Sequence, residues 1–412
     1  MQAGQSGAPG TAGAAGATPQ QVNMAQRQSV LNSSVDMLQQ VQAATPANLT
    51  QTGGAIPVNI QPRNVGLIKR FIIEVTGTIN NTDAADALTL TDFGFANFFS
   101  QISFIDLNNN TRIQTTGWHL YSIWAAKHKW PYGVLAAQNN VNSSELVMFG
   151  MGGDNFGVVS CPQSVAHGAS TNFRFYLEVP LAYSDNDLRG AIDANVVNAT
   201  MQLQLTLNGG AIVAPATDST NAVYKGATGY SSTTSNFSNI QINVYQHYLD
   251  QLPVSSKGGP ILPTLDLSTI YEIKNTTFSS IVANNDFPIP YANFRDFLST
   301  FAVFNNNPAA DAGRVGGTDT NYWALQSANF TNLFKYDPYV AALMSRRLTN
   351  LDWPKGMYYF SSRGKPINTT QYGNMQLILN ANSASAGAYV LVGWEDFALV
   401  NTLTQASSLP AS

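Results

Sequence analysis

The chain has 412 residues and a formal net charge of −4, with hydrophobic residues at 44% and charged residues at only 11%, under half the usual charged share of about 25%. That length exceeds one ordinary core and predicts two domains plus arms. There is no basic block, which excludes direct binding of nucleic acid by charge neutralisation, and Cys161 as the only cysteine excludes an internal disulfide and a Cys-rich zinc site.

Residues 1–19 are a Gly/Ala-rich arm that cannot bury enough apolar area to offset ordering entropy, so flexibility is expected when unbound. The arm lacks the basic and apolar regions of a signal peptide, and no apolar run approaches the ~20 residues that span a bilayer. Residues 20–45 read as one helix. Met24, Leu31, Val35 and Leu38 fall on one stripe, Val30, Met37 and Val41 widen it, Arg27 sits at its edge, and Thr45-Pro46 ends it. The stripe reads either as a surface for a membrane or a neighbouring subunit, or as packing on the chain's own domain. Its polar face lacks the Lys/Arg enrichment of interfacial helices.

From residue 55 the pattern becomes β. Residues 65–79 are rich in β-branched side chains, and further strands are predicted at 98–107, 171–182, 199–207 and 238–248. Asn/Gly clusters separate them, and 117–127 reads as a short helix. The segment 251–264, with Pro253, Gly258, Gly259, Pro260 and Pro263, is a linker by composition. Strands resume at 267–274, 297–304, 357–361, 374–380 and 388–397, and Asp337–Arg347 reads as a helix with an Asp-Pro start and a basic end. The halves echo each other: Phe104-Ile105-Asp106-Leu107 and Phe301-Ala302-Val303-Phe304 both run into Asn triplets, and a helix with a basic end follows in each. Many short strands, long loops and few helices predict an all-β protein of sandwich or jelly-roll type.

Catalytic and metal motifs do not emerge. No two of His119, His128, His167 and His247 have ligand spacing on one element; His119 beside Trp118 reads as packed or capping, and His128 as a solvated helix end. There is no nucleophile elbow or Walker loop, and Gly150–Gly157 reads as a plain loop. Asp185 with Asp187, and Asp311 with Asp319, fall short of a calcium ligand set and read as turn caps. A glycosidase carboxylate pair formed in space is left open. With Asn about twice as frequent as Lys and Arg together, the surface is neutral and amide-rich, with weak self-repulsion, and suits a protein that packs against copies of itself.

Ordered runs go beyond composition. They include Asn64-Val65-Gly66, Leu90-Thr91-Asp92-Phe93-Gly94, Gly117-Trp118-His119-Leu120, Val179-Pro180-Leu181-Ala182-Tyr183-Ser184 and Tyr248-Leu249-Asp250-Gln251-Leu252-Pro253-Val254. The second half continues with Ile261-Leu262-Pro263, Asp266-Leu267-Ser268-Thr269, Tyr291-Ala292-Asn293 and Gln371-Tyr372-Gly373-Asn374. Through these the chain resembles the major capsid proteins of tectiviruses, tail-less bacterial viruses with an internal membrane. The runs are collinear from about residue 58 to 380; the Gly/Ala-rich extension and residues 123–170 depart from the family pattern.

The resemblance implies a double jelly roll, with eight-stranded rolls at 55–250 and 265–400 and a C-terminal arm at 401–412. Trp118, Tyr183, Asp250, Pro253 and Gly373 are then family-motif positions of structural use. It also implies homotrimers with a pseudo-hexameric footprint that tile an icosahedral virion shell assembled in the host cytoplasm. The N-terminal helix, through Met24, Arg27, Leu31, Val35 and Leu38, would face viral membrane lipids or a neighbouring trimer. Vertex and minor capsid proteins are implied partners, and no cofactor, metal or catalytic residue is expected. Deleting residues 1–44 is expected to spare trimers and impair assembly. A glycan-binding or host-attachment β-protein is the alternative reading, and a polysaccharide-cleaving enzyme comes third.

Overall fold

The computed structural model describes residues 18–128, 145–146, 160–196, 199–215, 217–308, 319–329, 332–351, 353–354, 356–362 and 365–398. Gly150–Gly157, Trp130, Asp311, most of the N-terminal arm and the whole C-terminal arm lie outside the described residues.

Helix α1 spans Pro19–Ser33, opened by a capping box between Thr18 and Gln21 with Pro19 in the first turn. It stops well short of residue 45. Ser34 turns extended, and Val35–Ala44 forms strand β1. The expectation of one helix over 20–45 is therefore corrected. Val35 of the stripe and Met37 and Val41, which widen it, also alternate with period two, and tertiary pairing decides between the periods. β1 lies antiparallel along the last strand of its roll, from Val35 opposite Asp250 to Ala44 opposite Ile242. Asp36 holds it sideways, 3.1 Å from Lys69 Nζ and 2.6 Å from His247 Nε2.

The strands that follow are β2 (Ile56–Ile60), β3 (Leu67–Asn80), β4 (Phe99–Ile105), β5 (Thr111–Thr115), β6 (Ser170–Pro180), β7 (Gln202–Leu207) and β8 (Asn236–Asp250). Helix α2 (Gly117–His128) stands between β5 and β6. After the linker comes a helical turn, α3 (Thr264–Ser268), which takes the start of the strand expected at 267–274. Then come β9 (Ile270–Ser279), β10 (Asp286–Pro290), β11 (Arg295–Asn305), β12 (Thr320–Gln326) and β13 (Phe334–Tyr336). Helix α4 (Pro338–Thr349), β14 (Met357–Ser361), β15 (Gln376–Ala381) and β16 (Tyr389–Ala398) complete the principal elements; strands of two or three residues, such as Leu88–Leu90 and Tyr224–Gly226, and the helical turns Gly94–Phe98 and Thr369–Tyr372 lie between them and are left unnumbered. The other predicted strands and helices fall on these elements within a few residues.

The sheets repeat. In the first half they run β1-β8-β3-β6 and β2-β7-β4-β5; in the second, β9-β16-β11-β14 and β10-β15-β12-β13. Each order in the second half is the first with eight added to every strand, which is one jelly-roll topology used twice. The helical echo is real, since α2 and α4 occupy the same place in the two rolls. The echo of Phe104 with Phe301 is not, because it matches the fourth strand of one roll to the third of the other.

Alternation fills each roll. On β8, Phe237, Ile242 and Val244 are buried while Gln241 and Asn239 are exposed. Phe95, Phe98, Phe173, Phe175 and Phe237 form one aromatic cluster, with Phe95 5.0 Å from Phe173 and Phe98 5.6 Å from Phe237. Burial of each such ring stabilises by about 1.5–3 kcal/mol. The second roll has its own cluster around Trp323, Phe360, Leu377 and Val392. Its β16, however, is buried on both faces: Val390, Val392 and Trp394 face that core, and Leu391 and Phe397 join the core of the first half.

Candidate functional site

Two features carry chemistry: the seam between the rolls and the N-terminal segment. At the seam β5 lies parallel to β9, with Ile113 opposite Ile273, so one sheet runs continuously through both rolls. α2 lies over the outer face of the second roll. His119 is wholly buried there, its Nδ1 2.7 Å from Thr115 Oγ1 and its ring 6.1 Å from that of Phe301. Burial lowers its pKa to about 3, so it stays neutral, the packed histidine expected from its neighbours. Opposite it stands Gly393, where a side chain would overlap the imidazole.

An ionic contact crosses the seam at α2. Lys127, in the last turn of α2, reaches the buried Glu395 of β16 at 2.6 Å. Glu395 also accepts from Tyr271 at 2.5 Å and Ser299 at 2.6 Å. Burial raises its pKa, but the Lys127 charge and these hydrogen bonds outweigh it and hold the carboxyl below its ordinary range. Asn275 donates to Thr116 across the same boundary at 2.9 Å. Glu272 and Asp396 lie opposite each other on β9 and β16 but are buried, so they form no groove-lining carboxylate pair.

The expected stripe of Met24, Arg27, Leu31, Val35 and Leu38 divides. Met24 is 64% exposed, with Val22 exposed near it. Arg27 is turned inward to Asp266, with Nε and Nη2 at 2.5 and 2.6 Å from its oxygens, and also lies 3.4 Å from Asp187. Asn23 donates to the same Asp266 at 2.9 Å and accepts from the Leu265 amide at 2.9 Å. Val30 is buried and Leu31 half-buried in a small core with Leu67, Leu188 and Leu249. So the inner side of α1 packs on its own chain. Val35 and Leu38 lie on β1, exposed at 41% and 57%. The N-terminal segment is thus a docked helix with a small apolar outer side, followed by an edge strand.

The motif positions have structural uses. Trp118 is buried in α2, 5.5 Å from Phe93. Tyr183 packs between Tyr271 and Phe397, with Lys127 Nζ 4.3 Å above its ring. Asp250 ends β8 and accepts from Gln251 N, a residue with positive φ. The carbonyl of Pro253 accepts from Ile261 N and closes the linker loop. Gly373 has φ +65° and ψ 142°, a conformation that favours glycine. Asp185 and Asp187 face Arg70 and Arg189, while Asp319 accepts from Asn306 and Ser383 at 3.0 Å, so these act in ion pairs and turns. Asp266 heads one of the ordered runs but nothing in the sequence gives it a partner, and Glu395 and Gly393 lie in none of those runs; an acid inside an otherwise apolar strand, as in Val392-Gly393-Trp394-Glu395, is the one signal that points to Glu395.

Two like-ordered rolls joined through one sheet define a double jelly roll. Family models described as P3 major capsid protein N-terminal and C-terminal match residues 8–252 and 268–410. The chain belongs to the P3 major capsid protein family. It is 38% identical over 391 residues to major capsid protein P3 of Enterobacteria phage PRD1, covering 94% of this chain and 93% of that protein. At the level of fold it is similar to a chain from the atomic structure of Sulfolobus Turreted Icosahedral Virus, with TM-score 0.58, 13% identity and coverage of 91% and 94%. It is likewise similar to the Faustovirus major capsid protein, with TM-score 0.52, 8% identity and coverage of 89% and 91%.

Proposed function

We propose that this capsid protein works as a homotrimer whose rolls make a pseudo-hexameric capsomer, and that capsomers tile an icosahedral shell over an internal lipid membrane. The observation that carries this reading is the pair of like-ordered rolls docked side by side. Three such chains in a ring present six similar rolls to their neighbours. Residues 251–264 connect the rolls within each chain. The arms before α1 and after β16 link neighbouring trimers, with vertex and minor capsid proteins closing the lattice.

The outer side of α1, with Val22 and Met24, contacts the membrane. Its only cation, Arg27, is committed to Asp266, so this contact is apolar and modest. Light scattering on a sizing column tests the trimer: a heat-resistant mass of three 44.3 kDa chains is expected, and a stable monomer overturns the reading. For the membrane, Val22→Asp with Met24→Asp should abolish flotation with liposomes. Flotation of the parent protein should not need anionic lipid.

A further inference from the structure

Beside Asn275 the seam opens into a cavity of about 410 Å³, a volume within the range of small-ligand sites. Both rolls build it. The first contributes Asn97, Phe99 at the start of β4, Trp118 in the first turn of α2 and Asn221 in the connection from β7 to β8. The second contributes Asn275 and Thr277 of β9 and Leu391 of β16. Phe99, Trp118 and Leu391 are buried and form an apolar floor, while Asn221 and Thr277 are exposed at the rim.

Hydrogen bonding around this cavity is only half complete. Asn97 Nδ2 donates to the carbonyls of Thr220 and Ala222 at 2.8 and 2.9 Å, and Asn275 Nδ2 donates to Thr116 Oγ1 at 2.9 Å. These bonds hold both amides in place, yet neither amide oxygen accepts from a described residue. The indole N–H of Trp118 is buried and has no acceptor among the described residues, although a buried indole N–H ordinarily finds one. The wall thus offers a fixed donor and fixed acceptors over an apolar floor. None of the described residues lining it is charged, so an anion or a metal ion would meet no counter-charge there.

We propose that this cavity binds a neutral saccharide. A sugar ring carries hydroxyl oxygens that accept from the Trp118 indole, hydroxyl hydrogens that donate to the amide oxygens of Asn97 and Asn275, and C–H faces that rest on Phe99 and Leu391. Asn221 and Thr277 flank the ring from opposite rolls and add a second amide and a hydroxyl at the rim. The hydroxyl serves as donor or acceptor, and the amide does both. All of these groups belong to one chain, so the site stands whether or not the chain forms trimers.

The test probes an array of neutral and anionic glycans with the full chain, then titrates the best neutral binder. The expected result is saturable binding of a neutral glycan by the parent and by the control Val254→Trp, a position exposed on the linker. Asn221→Trp and Thr277→Trp fill the cavity from opposite walls and should each weaken that binding at least tenfold. Both positions are exposed, so thermal melts should coincide with that of the parent; if one variant melts early, the other carries the comparison. A parent that captures no neutral glycan, or anionic glycans alone, overturns the proposal. So does a cavity-filling variant that melts like the parent and binds as tightly.

Discussion

Gly393 and His119 meet where the rolls touch, and a Cβ built on Gly393 falls 2.2 Å from the imidazole Nε2. Gly393→Ala should therefore lose about 1–3 kcal/mol, the usual cost of overpacking, measured as a lower denaturant midpoint. An unchanged midpoint would mean that the seam yields freely. Asp396 sets a pH dependence in the same region. Burial raises its carboxyl to about 7; the Tyr291 hydroxyl opposes the rise and the Glu272 carboxylate adds to it. Its unperturbed value is 3.8, so between about pH 4 and 7 the folded chain holds a proton that the unfolded chain has released. Stability from this group is complete below pH 4 and is lost as pH rises towards 7, by at most about 4 kcal/mol. Asp396→Asn should flatten urea stability across that window; an equal slope in the variant would assign the dependence elsewhere. Little of this was legible in the sequence. His119 beside Trp118 announced a packed ring, but a glycine and a glutamate in a strand acquire meaning only from the His119 and Lys127 that the other roll places against them, and Asp396 only from Tyr291 and Glu272 of its own roll.

At the scale of elements, periodic patterns located most of the longer strands, and capping chemistry located α4. Asp337 does accept from the amides of Tyr339 and Val340 at 2.9 Å, and the αL residue Asn350 ends the helix. The N-terminal segment failed for a physical reason. Its apolar positions satisfy both 3.6 and 2.0 periodicities from Val35 onward, and only pairing with β8, distant in sequence, selects the strand. Arg27 looked like the rim of an outward stripe because its partner, Asp266, is 239 residues away. That pair now predicts how α1 is held. Arg27→Ala leaves Asp266 buried and without its counter-charge, a loss of about 3 kcal/mol at the lower end for breaking a buried pair. The loss should be local. Limited proteolysis should open the chain near Ser33 and Ser34 while the global melting temperature moves little. Cleavage no faster than in the parent would show that Val30 and Leu31 anchor the helix without the ion pair.

For the whole molecule, the repeated strand order changes what the N-terminus means. Sequence patterns placed a single dispensable helix before residue 45, and deletion to residue 44 then seemed harmless to the trimer. The structure divides that segment into two parts with different duties. Residues up to Ser34 add a helix docked by one ion-pair cluster and a small core of side chains. Residues Val35–Ala44 are the first strand of a jelly roll and supply Asp36, the partner of the buried Lys69. Removing them would uncover one side of β8 and take from Lys69 the Asp36 carboxylate at 3.1 Å, leaving Asp185 at 3.9 Å. Two truncations should therefore behave differently. A chain beginning at Val35 should fold, melt cooperatively and keep the three-chain mass, while losing liposome flotation. A chain beginning at Thr45 should lose cooperative melting or fall to a single-chain mass, because it lacks the edge strand that covers β8. If the shorter chain still formed heat-resistant trimers, β1 would be an appendage of the first roll and not part of its framework. If the longer chain failed as well, α1 would be part of the folding core, and the division at Ser34 would be wrong.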